Sequence, residues 1–317
     1  MKKLNIIFDT DIGSDCDDVM ALTYLVYAQR YLGAEVKAVT YSNHFIPQGP
    51  AAIRSFFRDL GEKIPSIGLP AAPIAIGGDS YCKQIVEKFG CEADMTAPFE
   101  DSVPLMRRTL AESEDESCVI CAVGAFTNIA ALLRSAPDEI SPLGGVELVR
   151  QKCSKVVLMA GIFDKNDDRT EWNVHLDIDA TREVAELCPV PLTFLPSETG
   201  MNMMTGGPAV KKYGENTPLS LSFLLYPPTK KDNYLRHSWD PATALYAVEG
   251  CREFFEETEG GVIKVNEGGR TSFTPTENGQ HRVLYVKKKD GQTEEAAKAD
   301  VAAYLDDISI KTYGERA

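Results

Sequence analysis

Five carboxylates are concentrated near the start of the chain, at Asp9, Asp11, Asp15, Asp17 and Asp18. An apolar run precedes them and a helical pattern follows, so the segment is predicted to join a buried strand to a helix. Carboxylates this close repel one another unless protons or a cation neutralise them. Helix N–H groups and solvent are the alternative, but they contribute only about 1 kcal/mol. Because all the candidate ligands are oxygens, the segment predicts a hard divalent cation, Ca²⁺ or, less favoured, Mg²⁺.

The elements that must position these carboxylates follow an alternating pattern. Strands are predicted at 4–8, 36–40, 118–123, 156–160 and 192–195, and helices at 17–32, 50–60, 127–135, 179–187, 240–248 and 298–306. A late antiparallel pair is predicted at 261–264 and 282–287. Such alternation is typical of an α/β fold with an open, mostly parallel central sheet and helices on both faces. No linker or repeat interrupts it, so 1–317 is predicted to form a single domain.

Polar, turn-rich segments follow the predicted strands at 9–18, 43, 124–128, 161–173 and 197–200. In open α/β sheets, ligands bind beyond the carboxyl ends of the strands. We therefore expect these segments to share one rim of the sheet and to form a single site.

The composition excludes several classes of partner. The net charge of −14, from 33 basic and 47 acidic side chains, disfavours nucleic acid as a partner. No run approaches the roughly 20 apolar residues that span a bilayer, and no secretory signal is recognisable. We therefore expect a cytoplasmic protein. Cys118 and Cys121 have a CxxC spacing but fall on opposite faces of a predicted strand, so the 8 cysteines are interpreted as reduced structural thiols.

The opening motif resembles that of the inosine–uridine-preferring nucleoside hydrolase family. That family begins with an apolar strand, Asp-Thr-Asp, a glycine, and an Asp-Asp pair before Ala-Leu. Here the matching segments are Asp9-Thr10-Asp11, Gly13, Asp17-Asp18 and Ala21-Leu22. Two extra residues precede the Asp-Asp pair, so Asp15 has no clear counterpart.

The resemblance continues along nearly the whole chain. The later matches are Val39-Thr40 with Asn43, the segment 122–130, Met159-Ala160-Gly161, Glu171-Trp172-Asn173-Val174 with Asp177, and Trp239-Asp240-Pro241. Each is weak alone, but six matches in this order, each on the predicted rim, are specific.

The resemblance implies a metal-dependent hydrolase that cleaves the N-glycosidic bond of ribonucleosides. Asp11 would be the general base and a Ca²⁺ ligand, a role for which a carboxylate beside a cation-activated water is suited. The remaining implied ligands are Asp18, Asp240 and the backbone carbonyl of Thr127, although Thr127 also fits a helix N-cap.

The substrate implied by the resemblance is a small nucleoside or another ribose-containing molecule. Asp17, Asn43, Glu171 and Asn173 would hold the ribose hydroxyls, and Met159 would line the underside of the sugar or simply fill the core. The resemblance also implies a homo-oligomer, a dimer or a tetramer.

The leaving-group side departs from the family pattern. Many members carry a histidine directly before the late aspartate, where it can protonate the departing base, but this chain has Trp239. Three interpretations remain open: His237 replaces that acid, Trp239 stacks on the base, or activation comes from elsewhere. His44, on the predicted rim, is a second candidate acid.

Two other functions are compatible with parts of the sequence. An apolar strand ending in Asp9-Thr10-Asp11 also fits a haloacid dehalogenase-like phosphatase, but the Gly-Thr pair of that family is missing and the later motifs go unexplained. Trp239 alternatively suggests an inactive or sugar-binding relative, or a hydrolase of an unusual N-glycoside.

Overall fold

The structure is a computed structural model that describes residues 3–43, 46–74, 79–231 and 233–314. The candidate acid His44 lies outside the described residues. The strands are β1 (Leu4–Thr10), β2 (Ala34–Tyr41), β3 (Ser66–Leu69), β4 (Glu100–Asp101), β5 (Cys118–Ala122), β6 (Cys153–Met159), β7 (Leu192–Leu195), β8 (Met204–Thr205), β9 (Arg236–His237), β10 (Phe255–Glu257), β11 (Gly261–Val265), β12 (Thr271–Pro275) and β13 (His281–Val286).

The helices lie between these strands and after them. They are α1 (Asp17–Tyr31), α2 (Gly49–Asp59), α3 (Cys82–Phe89), α4 (Glu92–Thr96), α5 (Ser102–Ala111), α6 (Thr127–Arg134), α7 (Gly145–Lys152), α8 (Trp172–Leu176), α9 (Ile178–Leu187), α10 (Ser197–Gly200), α11 (Gly207–Tyr213), α12 (Pro218–Leu225), α13 (Trp239–Glu249) and α14 (Glu294–Gly314), with a 3₁₀ turn at Pro227–Lys231. In the described part of the chain, none of them combines the length and hydropathy needed to cross a membrane.

The central sheet is mostly parallel, as predicted. Its order is β12-β11-β13-β7-β6-β5-β1-β2-β3-β4, and every pair from β13 to β4 is parallel. The late strands are antiparallel, which confirms that part of the prediction, but their pairing is more elaborate. β11 pairs along its length with β12, which was not predicted, and meets β13 only at Gly261 and His281, while β13 also runs parallel to β7.

Helices cover both faces of this sheet and create two apolar cores. Alternate residues of β5 enter opposite cores, so Cys121 packs in one and Cys118 in the other. This agrees with the period of two expected for a strand buried on both faces. All 8 cysteines lie in the described residues and none forms a disulfide with another.

Helix α1 directly follows the carboxylate segment and is buried on nearly every side. It packs between the sheet and the helices α13 and α14, which explains why its buried residues are not confined to one stripe. Its first turn contains Asp17 and Asp18, where the helix dipole favours negative charge. The N-terminus of α1 therefore holds two acidic side chains inside the protein.

Helix α14 is fastened to the start of α11 by a buried carboxylate. Asp306 Oδ1 accepts a hydrogen bond of 2.9 Å from the backbone N–H of Gly206. Burial raises the pKa of Asp306 to about 6. Because this folded-state pKa exceeds the unfolded-state value, the folded protein binds more protons between about pH 4 and 6, and stability falls as pH rises through that window. Above pH 6 the buried, ionised Asp306 carboxylate lowers the stability by its full amount.

The Asp306→Asn variant keeps an oxygen acceptor and removes the buried charge. We expect it to raise the free energy of unfolding by about 1–3 kcal/mol at pH 8 and to change it little at pH 4. Urea unfolding at both pH values measures this difference. Asp307→Asn, on an exposed neighbour, is the matched control. Equal effects of the two variants at pH 8 would contradict the assignment.

Candidate active site

A cavity of about 570 Å³ opens at the carboxyl edge of the parallel sheet. Residues at or just beyond the ends of four strands line it: Asp11 after β1, Val123 after β5, Met159 at the end of β6 and Ser197 after β7. This is the rim that the strand order predicts, and the volume is within the usual range for small-molecule sites. Segments from most of the chain therefore meet in one cavity.

Two helix N-termini bring acidic side chains together in the floor of this cavity. Asp17 and Asp18 begin α1, and Asp240 lies in the first turn of α13. Each of the three offers a carboxylate oxygen, and these oxygens lie within 4.8 Å of one another. Asp17 Oδ2 also accepts hydrogen bonds of 3.1 Å from the N–H groups of Trp239 and Asp240, which ties the two helices together.

Burial makes this cluster electrostatically unfavourable without a cation. It raises the pKa values of Asp17, Asp18 and Asp240 well above their ordinary range, and repulsion by neighbouring aspartates raises them further. Thr10 donates a hydrogen bond to Asp18 Oδ1, whereas Asp18 Oδ2 has no hydrogen-bond partner among the described residues. Buried oxygen donors of this kind fit a hard divalent cation.

Asp11 lies beside the cluster, in the loop that leaves β1. Burial raises its pKa to about 6, although a hydrogen bond of 2.7 Å from the Ser14 hydroxyl to its Oδ2 opposes that rise. The loop after β5 approaches it closely at Gly124. A Cβ there would lie 3.0 Å from the backbone nitrogen of Asp11 and 2.3 Å from Ser42 Oγ. Glycine is therefore needed for the two loops to pack.

Glu171 and Asn173 also line the cavity, and both fix the local backbone. Glu171 is the N-cap of α8: its carboxylate accepts from the N–H groups of Asn173 at 2.9 Å and Val174 at 3.1 Å. Asn173 Nδ2 donates to the carbonyls of Val123 at 2.9 Å and Met159 at 3.0 Å. Burial raises the pKa of Glu171 to about 7. Both side chains are thus held rigidly against the strand ends.

The structure does not bring Thr127 or Asn43 to the cavity lining as far as the described residues define it. Thr127 begins α6, and its hydroxyl donates to Asp177 Oδ2 at 2.5 Å. Val123, at the end of the preceding strand, lines the cavity instead. Asn43 is buried beyond the end of β2.

On the leaving-group side, Trp239 lines the cavity and His237 does not. Trp239 Nε1 donates a hydrogen bond of 2.8 Å to the carbonyl of Ser197, whereas His237 Nδ1 accepts one of 2.9 Å from the N–H of Asn202. Strand alternation would turn the side chains of His237 and Trp239 to the same side, and their ring centroids do lie 4.9 Å apart. Of the two, only Trp239, which begins α13, is among the residues that line the cavity.

This wall also contains a basic residue that the sequence did not predict, Arg236. It lines the cavity together with Tyr226 and with Asp15, the residue without a counterpart in the family motif. Arg236 Nε lies 2.9 and 3.0 Å from the two carboxylate oxygens of Asp15. Asp15 belongs to the acidic segment and was noted from the sequence. Its partner Arg236 could not be predicted from a local pattern, because the two residues are 221 positions apart.

Comparisons with known proteins agree with this architecture. An uncharacterised protein from Schizosaccharomyces pombe is 27% identical over 225 residues, which are 66% of each chain. A purine-preferring ribonucleoside hydrolase from Gardnerella vaginalis has a similar fold, with a TM-score of 0.67 and 18% identity over 96% of this chain and 99% of that one. A plant nucleoside hydrolase gives a TM-score of 0.66 and 18% identity, over 97% and 99% of the respective chains.

The family comparison covers nearly the whole chain. The model of the inosine-uridine preferring nucleoside hydrolases matches residues 6–308. That match includes the carboxylate segment, the strand ends that line the cavity and the start of α13. The chain therefore belongs to the inosine-uridine preferring nucleoside hydrolase family, whose enzymes hydrolyse N-glycosidic bonds.

Proposed function

We propose that the protein hydrolyses ribonucleosides to ribose and free base, with Asp11 as the general base and a Ca²⁺ held by Asp11, Asp18 and Asp240. The observation that carries the proposal is that Asp11, Asp18 and Asp240, from opposite ends of the chain, all line one cavity of about 570 Å³. Asp18 and Asp240 also belong, with Asp17, to the close cluster of carboxylate oxygens. When bound, the ion would lower the pKa of the attacking water and orient neighbouring sugar hydroxyls. The family match leaves no role for the phosphatase interpretation.

The remaining roles, which are to deprotonate the attacking water and to bind the ribose and the base, are assigned to side chains in the cavity. Asp11 takes the proton of the attacking water, and its pKa of about 6 leaves it ionised and basic near neutral pH. Asp17, Glu171 and Asn173 hold the ribose hydroxyls, for which their buried, fixed positions suit them. Met159 packs under the sugar and Trp239 packs against the base. Thr127 and Asn43 are not among the residues that line the cavity, and their roles in binding the cation and the ribose stay predictions.

A ribose-release assay with a panel of purine and pyrimidine ribonucleosides tests the proposal. The expected result is Ca²⁺-dependent ribose formation from at least one of them. A protein that releases no ribose, yet binds free ribose in calorimetry, would be a sugar-binding relative. That second candidate is favoured by one observation: among the described residues, no histidine lines the cavity.

The assembly and compartment are also proposals. We infer that the protein forms a dimer or a tetramer, as the family resemblance implies, and light scattering after gel filtration measures this directly. The absence of disulfides among the 8 cysteines supports a reducing compartment such as the cytoplasm.

A further inference from the structure

The cavity wall that contains Trp239 also contains a fixed cation, Arg236, and no histidine among the described residues. We propose that Arg236, oriented by Asp15, binds the leaving base and stabilises the negative charge that develops on it. This inference rests on the proposed function, because it assigns a role within the same reaction. It adds two residues, Asp15 and Arg236, that the family motif does not include.

The guanidinium group of Arg236 is held on several sides. Its Nε and Nη2 donate to the Asp15 carboxylate, which fixes the plane of the group. The guanidinium carbon lies 5.3 Å from the ring centre of Tyr226 and 5.0 Å from that of Trp239. Its backbone is also fixed, because Arg236 pairs with Thr205 in the short β8–β9 sheet.

Asp15 is itself anchored. Its Oδ1 accepts a hydrogen bond of 2.7 Å from the N–H of Cys16, and its carbonyl accepts one from the Tyr81 hydroxyl. That hydroxyl in turn accepts a hydrogen bond of 2.9 Å from the N–H of Gly13. Asp15 and Cys16, which precede the Asp-Asp pair, therefore lie in a turn that is fixed by hydrogen bonds. This turn places the Asp15 carboxylate against Arg236.

The remaining donors of Arg236 are available to a ligand. Within the described residues, no acceptor bonds to its Nη1, although the side chain lines the cavity and is only partly exposed. The positive charge of Arg236 also interacts with the acidic cluster, since it opposes the rise in the pKa of Asp17 that burial causes. The donors therefore lie in the same cavity as the groups that hold the sugar.

The chemistry favours a cation at this position. As the bond from C1′ to the base nitrogen breaks, its electron pair moves onto the base, while the water oxygen bonds to C1′ and Asp11 accepts the water proton. An arginine stays protonated and cannot act as a general acid, but it can donate hydrogen bonds to a nitrogen or carbonyl oxygen of the departing anion. The base then takes its proton from solvent, which balances the reaction.

The test compares two leaving groups in the same enzyme preparation. The readout is the ratio of two kcat/KM values, that for the best nucleoside of the panel divided by that for p-nitrophenyl riboside. The p-nitrophenyl leaving group departs as a stable anion and needs no help from the protein. This ratio is independent of the fraction of folded enzyme. We expect Arg236→Gln, which keeps a neutral donor, to lower it about 10- to 100-fold, less than the roughly 10²- to 10³-fold cost of removing a preorganised donor altogether. Arg236→Lys keeps the positive charge but loses the planar guanidinium group with its paired N–H donors. It is expected to lower the ratio less than Arg236→Gln does.

The role of Asp15 as a positioning residue has its own readout. Asp15→Asn is expected to lower the same ratio, and the Asp15→Asn/Arg236→Gln double variant is expected to lose no more than Arg236→Gln alone, because both changes remove one interaction. A matched control is Arg252→Gln. Arg252 also pairs with a carboxylate, that of Glu249 at 2.6 Å, and lies against the rings of Phe254 and Tyr304, but it is away from the cavity.

The outcomes separate this inference from the function on which it rests. A fall of fivefold or more in this kcat/KM ratio for Arg236→Gln, with an unchanged ratio for Arg252→Gln, supports the role of Arg236. A smaller fall in an active enzyme overturns it and leaves the hydrolase function standing. A wild-type protein that cleaves neither substrate overturns both.

Discussion

Replacement of Asp11 by alanine is expected to reduce kcat on ribonucleosides by about 10³-fold or more while the protein stays folded. The change removes the general base, which alone contributes up to about 10⁴-fold, and also one proposed ligand of the cation. Folding is expected to survive because Asp11 repels its acidic neighbours and its side chain bonds only to Ser14 in the described residues. Steady-state ribose release and thermal unfolding of the same preparation measure the two effects.

Asp11→Asn separates charge from shape in this experiment. It keeps the size of the side chain and an acceptor for the Ser14 hydroxyl, so the structure around it is preserved. Because an amide cannot take a proton from water, activity should fall as steeply as in Asp11→Ala. Normal turnover in either variant would remove Asp11 from the mechanism.

Removal of divalent cations is expected to abolish turnover, and added Ca²⁺ is expected to restore it. The three buried carboxylates of Asp17, Asp18 and Asp240 lie too close together to remain ionised without a positive charge. Binding also stabilises the fold by mass action, by about 2.7 kcal/mol at a Ca²⁺ concentration of 100 times Kd. Chelation followed by titration with Ca²⁺ or Mg²⁺, monitored by both activity and Tm, tests this.

Asp240→Asn provides the matched control for metal binding. It removes one buried charge, so the metal-free variant should be more stable than the metal-free wild type, since repulsion by Asp17 and Asp18 is relieved. The same variant should lose the rise in Tm that Ca²⁺ produces. An unchanged Ca²⁺ response in Asp240→Asn, or full activity of the chelated wild type, would exclude this cation site.

The sequence predicts the parallel part of the sheet well because each strand there is buried on both faces. Runs such as β5 are continuously apolar, and the following helices begin within a few residues of the predicted positions. The antiparallel strand β12 was not predicted, since its side chains are mostly exposed and its composition is that of a loop. The strand β3 was missed because Ser66 and Gly68 interrupt its apolar run, whereas β7, also of 4 residues, is apolar except for Thr193.

The candidate site was predictable where its residues are contiguous or follow a strand. The carboxylates of α1 were found from their density between an apolar strand and a helical pattern, and Asp240 was assigned from the family resemblance. Side-chain direction was harder to predict where a strand gives way to a helix. At Val123–Thr127 and at His237–Trp239 the period changes, so counting residues did not show which side chain enters the cavity.

The acidic cluster draws on two helices that begin far apart in the chain, with Asp17 bonded to the N–H of Asp240 223 residues later. A nascent polypeptide on the ribosome therefore lacks a complete cation site until α13 has emerged and docked on α1. Docking of such distant segments is slow compared with formation of local structure. The acidic cluster of Asp17, Asp18 and Asp240 is therefore complete only late in folding, after α13 has docked on α1.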